Sequence, residues 1–337
     1  MLIYATSAYS DPEPIQSFLA LAAFGKQHRL AESVSDADAI LFVENSRYHD
    51  DPFFSRLKSH PLVRRHRDRC FMYNEHDHPW CVLPGVYCSM AARWFDSGRQ
   101  RATRYIRLLN PVEPSPIEHA DILFSFVGNS QIPLRRQILQ LKSSRAVLED
   151  TNSFNAFFAK GTTNNHSRYA EVLRRTKFVV CPRGSGTSSI RLFETLRAGR
   201  VPIIVSDQWV APEGPDWASC SFRVRERDIA NIEQIAAHAE PFWPGMAANA
   251  RKAWEEWFAD EVLFDRIGDE VTRLQRHHSI PERIAQHIPS IPEWDWRLRR
   301  AAHHLRSRFS RTTSRLNPVA VGSKGADSPV VPLMRIK

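Results

Sequence analysis

A layered α/β architecture with parallel sheets follows from three features of this sequence. Short β-branched or aromatic runs alternate with helix-like segments along most of the chain. Each of those runs ends in loop chemistry, and ligands of open α/β sheets bind at the carboxyl ends of strands. At 337 residues the chain also exceeds the ~250–300 residues that one core serves, which predicts two domains.

In the first part, Leu2–Thr6, Ala39–Val43, Cys70–Tyr73, Arg104–Arg107 and Ile122–Val127 read as strands. The loops behind them are Ser7-Ala8-Tyr9, Glu44-Asn45-Ser46, Asn74-Glu75-His76-Asp77 and Gly128-Asn129-Ser130. A second α/β block begins near Ala146, with strands at Phe178–Cys181, Val201–Val205 and Phe222–Val224. One helix is expected over Glu226–Ala239 and one or two over Met246–Leu274. The domain limits predicted in this way are 1–145, 146–275 and a basic, partly helical tail at 276–337.

That tail holds the excess charge. Residues 271–337 carry thirteen Lys/Arg against four Asp/Glu, whereas the rest of the chain has 33 of each, so the +9 total says nothing about the body. Six prolines from Pro281 to Pro332 punctuate the tail. Between them, Trp294–Arg311 places Trp294, Leu298, Ala301, Leu305 and Phe309 on one helical stripe among arginines and histidines. Such a segment either lies on an anionic membrane surface or packs on the body, and the last twenty residues read as unstructured.

Composition sets outer bounds. The chain is 42% apolar and 25% charged, ordinary for a globular protein, with no apolar run of about 18 residues for a membrane span. Met1-Leu2-Ile3-Tyr4-Ala5-Thr6 lacks the basic-then-apolar order of a signal peptide, which makes the cytoplasm the default expectation. Five cysteines without C-x-x-C spacing read as free thiols.

The most informative stretch is Lys177–Gly199. Lys177-Phe178-Val179-Val180-Cys181 is an apolar strand, ended by Pro182, which cannot donate to a ladder. The loop Arg183-Gly184-Ser185-Gly186-Thr187-Ser188-Ser189 combines two glycines, which admit close backbone approach, with hydroxyl donors and N-cap candidates. A helix from Ile190 to Ala198 follows, and Gly199 suits its C′ position. A helix opening from a glycine loop after a strand attracts phosphate through its free N–H groups and dipole.

At about 100° per residue, Ile190, Leu192, Phe193 and Leu196 share one face of that helix. Arg191, Glu194, Thr195 and Ala198 share the other. The polar face suits a nucleoside diphosphate, with Arg183 or Arg191 on phosphate and Glu194 accepting from ribose hydroxyls. The alternative is a tight turn followed by a surface i,i+3 pair of Arg191 and Glu194. The loop is neither a Walker motif nor G-x-G-x-x-G, because the lysine and the third glycine are missing.

The segment from Phe178 to Glu194, continuing through Val201-Pro202-Ile203-Ile204-Val205-Ser206-Asp207-Gln208-Trp209, resembles the exostosin-like glycosyltransferases, glycosyltransferase family 47. The likeness extends to Val224–Ile229, to Ser125-Phe126-Val127-Gly128 and to Leu134-Arg135-Arg136. It is specific over 178–209 and fades toward Tyr73-Asn74-Glu75. The resemblance implies a GT-B fold, in which two Rossmann-like domains face a cleft and the C-terminal one holds a UDP-sugar. It also implies transfer to a saccharide or glycolipid acceptor with inversion, without a donor-site metal or other cofactor. The chain departs from animal members in lacking an N-terminal anchor and a second catalytic domain, which fits a bacterial-type enzyme of surface polysaccharide synthesis.

Inverting transfer needs a base for the acceptor hydroxyl and positive charge for the leaving diphosphate. The donor-site set expected from motif and wheel is Arg135, Arg183, Gly184, Ser185, Gly186, Ser188, Ser189, Arg191, Glu194 and Asp207. Arg135 is preferred to Arg136, because adjacent helical residues point ~100° apart and only one faces the cleft. Base candidates are Glu75 and Asp77, with Asp50 and Asp51 as rivals; a plain solvated loop competes with each. Asp207 either caps the next turn or meets the sugar, and Trp209 either stacks on a ring or packs. Two rival functions remain at this level. One is a catalytically silent sugar- or nucleotide-binding partner of a polysaccharide synthase. The other is nucleic-acid binding, which rests on the tail charge alone and is not expected.

Overall fold

The computed structural model describes residues 1–9, 12–45, 51, 54–110, 112–114, 116–117, 120–152, 163–276 and 298. The expected helix at Trp294–Arg311 and the tail after it lie outside these, apart from Leu298. Met1–Ser290 forms one compact unit. Within it stand two parallel sheets, the α/β pair of Rossmann-like halves that defines the GT-B arrangement.

The first sheet contains β1 (Leu2–Thr6), β2 (Arg29–Leu30), β3 (Ala39–Glu44), β4 (Cys70–Asn74), β5 (Gly85–Tyr87) and β6 (Gln100–Ala102), in the order β2-β1-β3-β4-β5-β6. Its helices are α1 (Pro12–Ala22), α2 (Ser55–Ser59) and α3 (Pro61–His66). The second sheet contains β7 (Ile122–Gly128), β8 (Ala146–Asp150), β9 (Thr176–Pro182), β10 (Val201–Val205) and β11 (Phe222–Val224), in the order β11-β10-β9-β7-β8. Around it lie α4 (Pro133–Leu139), α5 (Thr163–Arg175), α6 (Ile190–Arg197), α7 (Trp217–Cys220), α8 (Ile232–Ala239), α9 (Trp243–Ala253) and α10 (Asp260–Arg276).

Every residue of β3 and β7 is buried, as near-continuous apolar strands covered on both faces must be. One core joins Ile3, Leu41 and Phe71 of the first sheet to Val179 of the second and Leu192 and Leu196 of α6 through Phe264 and Ile267 of α10. The other lies on the far face of the second sheet, where Phe124, Phe178, Val180 and Ile203 meet Leu134 of α4 and Ile232 of α8.

Several expectations are corrected. Ile122–Val127, read as a strand of the first half, lies in β7, which pairs with both β8 and β9, so the second sheet starts before residue 145/146. Arg104–Arg107 is no strand. The Arg104 guanidinium donates to the carbonyls of Tyr105 and Ile106, both at 2.7 Å, and the Ile106 N–H donates to Glu75 Oε1 at 2.6 Å. Backbone groups that a ladder would use are thus taken by side chains, and the strand is the preceding Gln100–Ala102. The helix expected over Glu226–Ala239 begins as a 3₁₀ turn, kinked at Asp228, and becomes α-helical at Ile232.

The chain crosses between the sheets twice. Arg104, fully buried on the outgoing crossing, donates to the Phe258 carbonyl at 2.6 Å and pairs with Asp260 on the return. The return runs through a π-helical turn at Trp254–Phe258 into α10. There Asp265 accepts the N–H groups of Lys26, Gln27 and His28, tying α10 to the loop before β2. Both crossings are therefore fixed by buried, charge-assisted hydrogen bonds.

Candidate functional site

The order β11-β10-β9-β7-β8 reverses direction between β7 and β9, and the carboxyl edge of such a reversal opens a crevice. A cavity of about 400 Å³ lies there. Its floor and one wall come from the second sheet: Gly128 and Asn129 after β7, Thr151 after β8, and Gly184, Ser185, Ser188 and Ser189 between β9 and α6. Arg135 of α4 and Arg191 and Glu194 of α6 also line it. The facing wall comes from the first sheet, with Asp77 after β4 and Tyr105, Leu109 and Asn110 after β6. A shallower depression of about 830 Å³ at Met1, Asp38 and Arg69 sits at the amino ends of strands, where parallel sheets present no crevice.

Of the expected site residues, Asp77, Arg135, Gly184, Ser185, Ser188, Ser189, Arg191 and Glu194 line this cavity. Arg135 sits between Arg191 and Arg183, donating to Asn129 Oδ1 at 3.1 Å and to the Arg183 carbonyl at 3.2 Å. Burial, then the neighbouring Arg191 charge, lowers its pKa to about 10. Arg136 turns outward onto the carbonyls of Ser130 and Gln131. Arg191 donates to the Val127 carbonyl at 2.5 Å and lies over the rings of Phe126 and Tyr169. Its Nε and the Oγ of Ser188, a residue 5% exposed, are buried polar atoms with no protein hydrogen-bond partner. Ser189 caps α6 without a side-chain hydrogen bond, and the first N–H groups of a helix have no intrahelical acceptor.

Glu194 is only 1% exposed and already occupied, so it is not an open cleft-facing carboxylate. Its Oε1 accepts from Leu109 N, Asn110 N and Asn110 Nδ2 at 3.2, 3.0 and 2.8 Å. Oε2 accepts from Tyr169 Oη at 2.7 Å and keeps a second lone pair. The wheel placed this side chain on the polar face but could not show that residues 109–110 arrive there from the first crossing.

Four expected residues lie off the cavity lining. Arg183 forms a two-pronged ion pair with Glu226, at 2.7 and 3.0 Å. Asp207 accepts the Glu226 N–H at 3.0 Å, which is the capping alternative. Gly186 serves a close approach: a Cβ there would stand 2.3 Å from Ser89 Oγ and 2.8 Å from the Asp77 carbonyl. Glu75 faces inward. Its Oε1 accepts from Tyr73 Oη at 2.8 Å and from Ile106 N at 2.6 Å, and burial raises its pKa. Asp51, the rival base, accepts the N–H groups of Ser55 and Arg56 at the start of α2, and Asp50 lies outside the described residues. Trp209 packs edge-on against Trp217.

Asp77 is thus the acidic base candidate that reaches the cavity. Burial raises its carboxyl above the ordinary value, against the pull of His78, Arg135 and the Gly186 N–H. Sequence reasoning missed Tyr105, Asn110 and Tyr169, which line the cavity, and Ser89, which lies behind the loop. The first two sit where a strand was expected or in its wake, and the other two belong to no motif. Among the described residues no group of three His, Cys, Asp or Glu is placed to hold a metal ion.

Comparison with known proteins bears on the same region. Residues 100–238 match the exostosin GT47 domain model. An exostosin-1 homolog of Caenorhabditis elegans is 42% identical over 69 residues, 20% of this chain and 18% of that protein. A probable glycosyltransferase of Arabidopsis thaliana is 28% identical over 130 residues, 38% of this chain and 23% of its own length. The chain therefore spans less than a quarter of each of these relatives. Among solved structures, a glycosyltransferase of Rickettsia africae aligns over 81% of this chain and 98% of its own, with TM-score 0.42 and 8% identity. The matched domain runs from β6 into α8 and contains the whole glycine loop, so the likeness to the exostosin-like GT47 family falls on the cavity's own elements.

Proposed function

We propose that this protein is a glycosyltransferase that moves a sugar from a nucleotide-sugar, a UDP-sugar, to a saccharide or glycolipid acceptor with inversion, in polysaccharide synthesis. The observation that carries the reading is the unmet demand for an anion at the start of α6. Two buried polar atoms, Ser188 Oγ and Arg191 Nε, lack partners beside the crowded, buried Arg135. A diphosphate there would meet both donors, neutralise the arginine pair and lie on the helix N-terminus. The match to the exostosin GT47 domain supports the same ligand class.

In this reading Asp77 takes the proton of the acceptor hydroxyl. The freed oxygen attacks the anomeric carbon while the bond to the diphosphate oxygen breaks, and Arg135 and Arg191 hold the charge that develops on the leaving group. The raised pKa of Asp77 makes it a stronger base than a solvated carboxylate. The remaining lone pair of Glu194 Oε2 is the position for a ribose hydroxyl. A cytoplasmic location, and attachment of the basic tail to an anionic membrane face, complete the proposal. The attachment rests on the charge of residues 271–337 and is tested by salt-sensitive co-sedimentation with liposomes, using oligonucleotide as control.

Calorimetric titration with UDP, GDP and their sugars tests the donor, and the anomeric configuration of a transferred sugar by NMR tests inversion. Absence of binding by every nucleotide, or affinity unchanged in Arg191→Ala, refutes the donor site. A product with retained configuration refutes Asp77 as the base of a single displacement.

A further inference from the structure

The glycine loop after β9 does not hold its own shape. Ser89, 2% exposed and just beyond β5 of the first sheet, places its Oγ under the loop. That oxygen accepts the N–H of Thr187 at 2.8 Å and of Ser188 at 3.1 Å. Thr187 Oγ1 donates in return to the Ser89 carbonyl at 2.9 Å, and Ser206 Oγ donates to the Thr187 carbonyl at 2.8 Å. The Tyr105 hydroxyl, on the cavity wall, is also hydrogen-bonded to Ser89. Around this centre the Asp77 carboxylate accepts the Gly186 N–H, and His78 Nε2 meets Ser185 Oγ at 3.0 Å.

Four consecutive loop residues, Ser185 to Ser188, are therefore engaged by side chains from the first sheet. The missing Cβ of Gly186 is what lets Ser89 approach so closely. Two amides that a glycine loop would offer to an anion are turned away from the cavity onto Ser89 Oγ. This leaves Ser188 to present its hydroxyl inward.

We infer that Ser89 is a positioning residue for the donor site: its hydroxyl fixes the Thr187 and Ser188 amides and so aims Ser188 Oγ and the start of α6 at the ligand. The inference rests on the cavity being a nucleotide-sugar site. It adds that the site belongs to both sheets, because the loop of the second is shaped by a side chain of the first that the ligand never touches. An oxygen accepting two buried N–H groups leaves both unpaired when removed, and each loss is large compared with a surface contact.

The test uses the full chain with Ser89→Ala, and Gln208→Ala as a control. Gln208 Oε1 accepts the Arg93 N–H, another contact between the two halves, but one that does not touch the glycine loop. Hydrogen–deuterium exchange without ligand should show Thr187 and Ser188 protected in the wild type and in Gln208→Ala, and exposed in Ser89→Ala. UDP titration should show affinity reduced on the order of tenfold in Ser89→Ala and unchanged in the control. Unaltered exchange in Ser89→Ala overturns the inference. So does faster exchange with unchanged UDP affinity, or an equal affinity loss in both variants, which would mean that any contact between the halves acts alike. A wild type that binds no nucleotide defeats the functional reading and, with it, the role of Ser89 in ligand binding, while the exchange data still decide whether Ser89 shapes the loop.

Discussion

The two sheets share a topology and use it differently. Each reverses strand order between its first and third strands, β1/β3 in one and β7/β9 in the other, so each has a crevice at its carboxyl edge. In the first sheet the described residues fill theirs. Glu44 accepts from Ser7 Oγ at 2.9 Å and Ala8 N at 2.8 Å, and Asp51 accepts from Tyr9 Oη at 3.0 Å. In the second, Arg135 and Arg191 border open space, and two buried donor atoms wait without partners. Topology supplies a crevice; side chains decide whether it closes on itself or calls for a ligand, and of which charge.

The largest expected effect is on chemistry. Asp77→Asn should lower the transfer rate by about 10²–10⁴-fold, a usual range for losing a general base, with UDP affinity changed only a few-fold. The wild-type rate should rise with pH through a carboxylate pKa lying above 3.8, because the base works only when ionised and burial raises its pKa. A variant that retains its rate would assign proton removal elsewhere.

Next comes binding. Arg191→Ala removes a charge-assisted donor and should weaken UDP about 10–100-fold by calorimetry. Arg191→Lys should recover little of this, since an ammonium cannot donate to the Val127 carbonyl and reach the ligand in the same planar geometry. Glu44→Ala probes the filled crevice. It should lower the melting temperature through two unpaired donors while leaving UDP affinity within about twofold. If it weakened UDP as much as Arg191→Ala, the contrast between the two crevices would collapse.

Smaller again is Arg183→Ala. Because Arg183 pairs with Glu226 rather than lining the cavity, the change should cost some thermal stability and alter UDP affinity less than about threefold. The smallest effect concerns Glu75. Burial raises its folded pKa above the ordinary 4.5, so the stabilising contribution is greatest below 4.5 and is lost as pH rises through the folded value. Glu75→Gln should flatten that part of the stability–pH curve measured by denaturant unfolding. A curve as steep as the wild type would show that another carboxyl carries it.

Legibility followed the range of the interaction. β9, α6 and β10 were readable because apolar run length, Pro182 and Gly199 act within a few residues. Gly199 adopts φ +66° at the helix end, as its C′ reading required. That at most one of Arg135 and Arg136 faces the cavity was readable from helical geometry; which one was settled by packing. Arg104–Arg107 misled because Tyr105 and Ile106 favour a strand, yet its backbone partners are side chains. Glu75 and Asp77 lie two residues apart in one loop and were indistinguishable by sequence. One turned out to be locked under Tyr73 and Ile106, the other to face the cavity.

By itself, then, the sequence determined the α/β class, the element that opens the site and the family that this element resembles. These rest on local periodicity, on breakers and on a contiguous motif, all properties of neighbouring residues. Tertiary structure decided which carboxylate is free, why Gly186 must be glycine and how Glu194 is occupied. Each of those depends on a group some tens of residues to more than a hundred residues away, such as Ser89 beneath Thr187, or Asn110 and Tyr169 upon Glu194. Only the packing of one sheet's loops against the other's brings such groups within hydrogen-bonding distance.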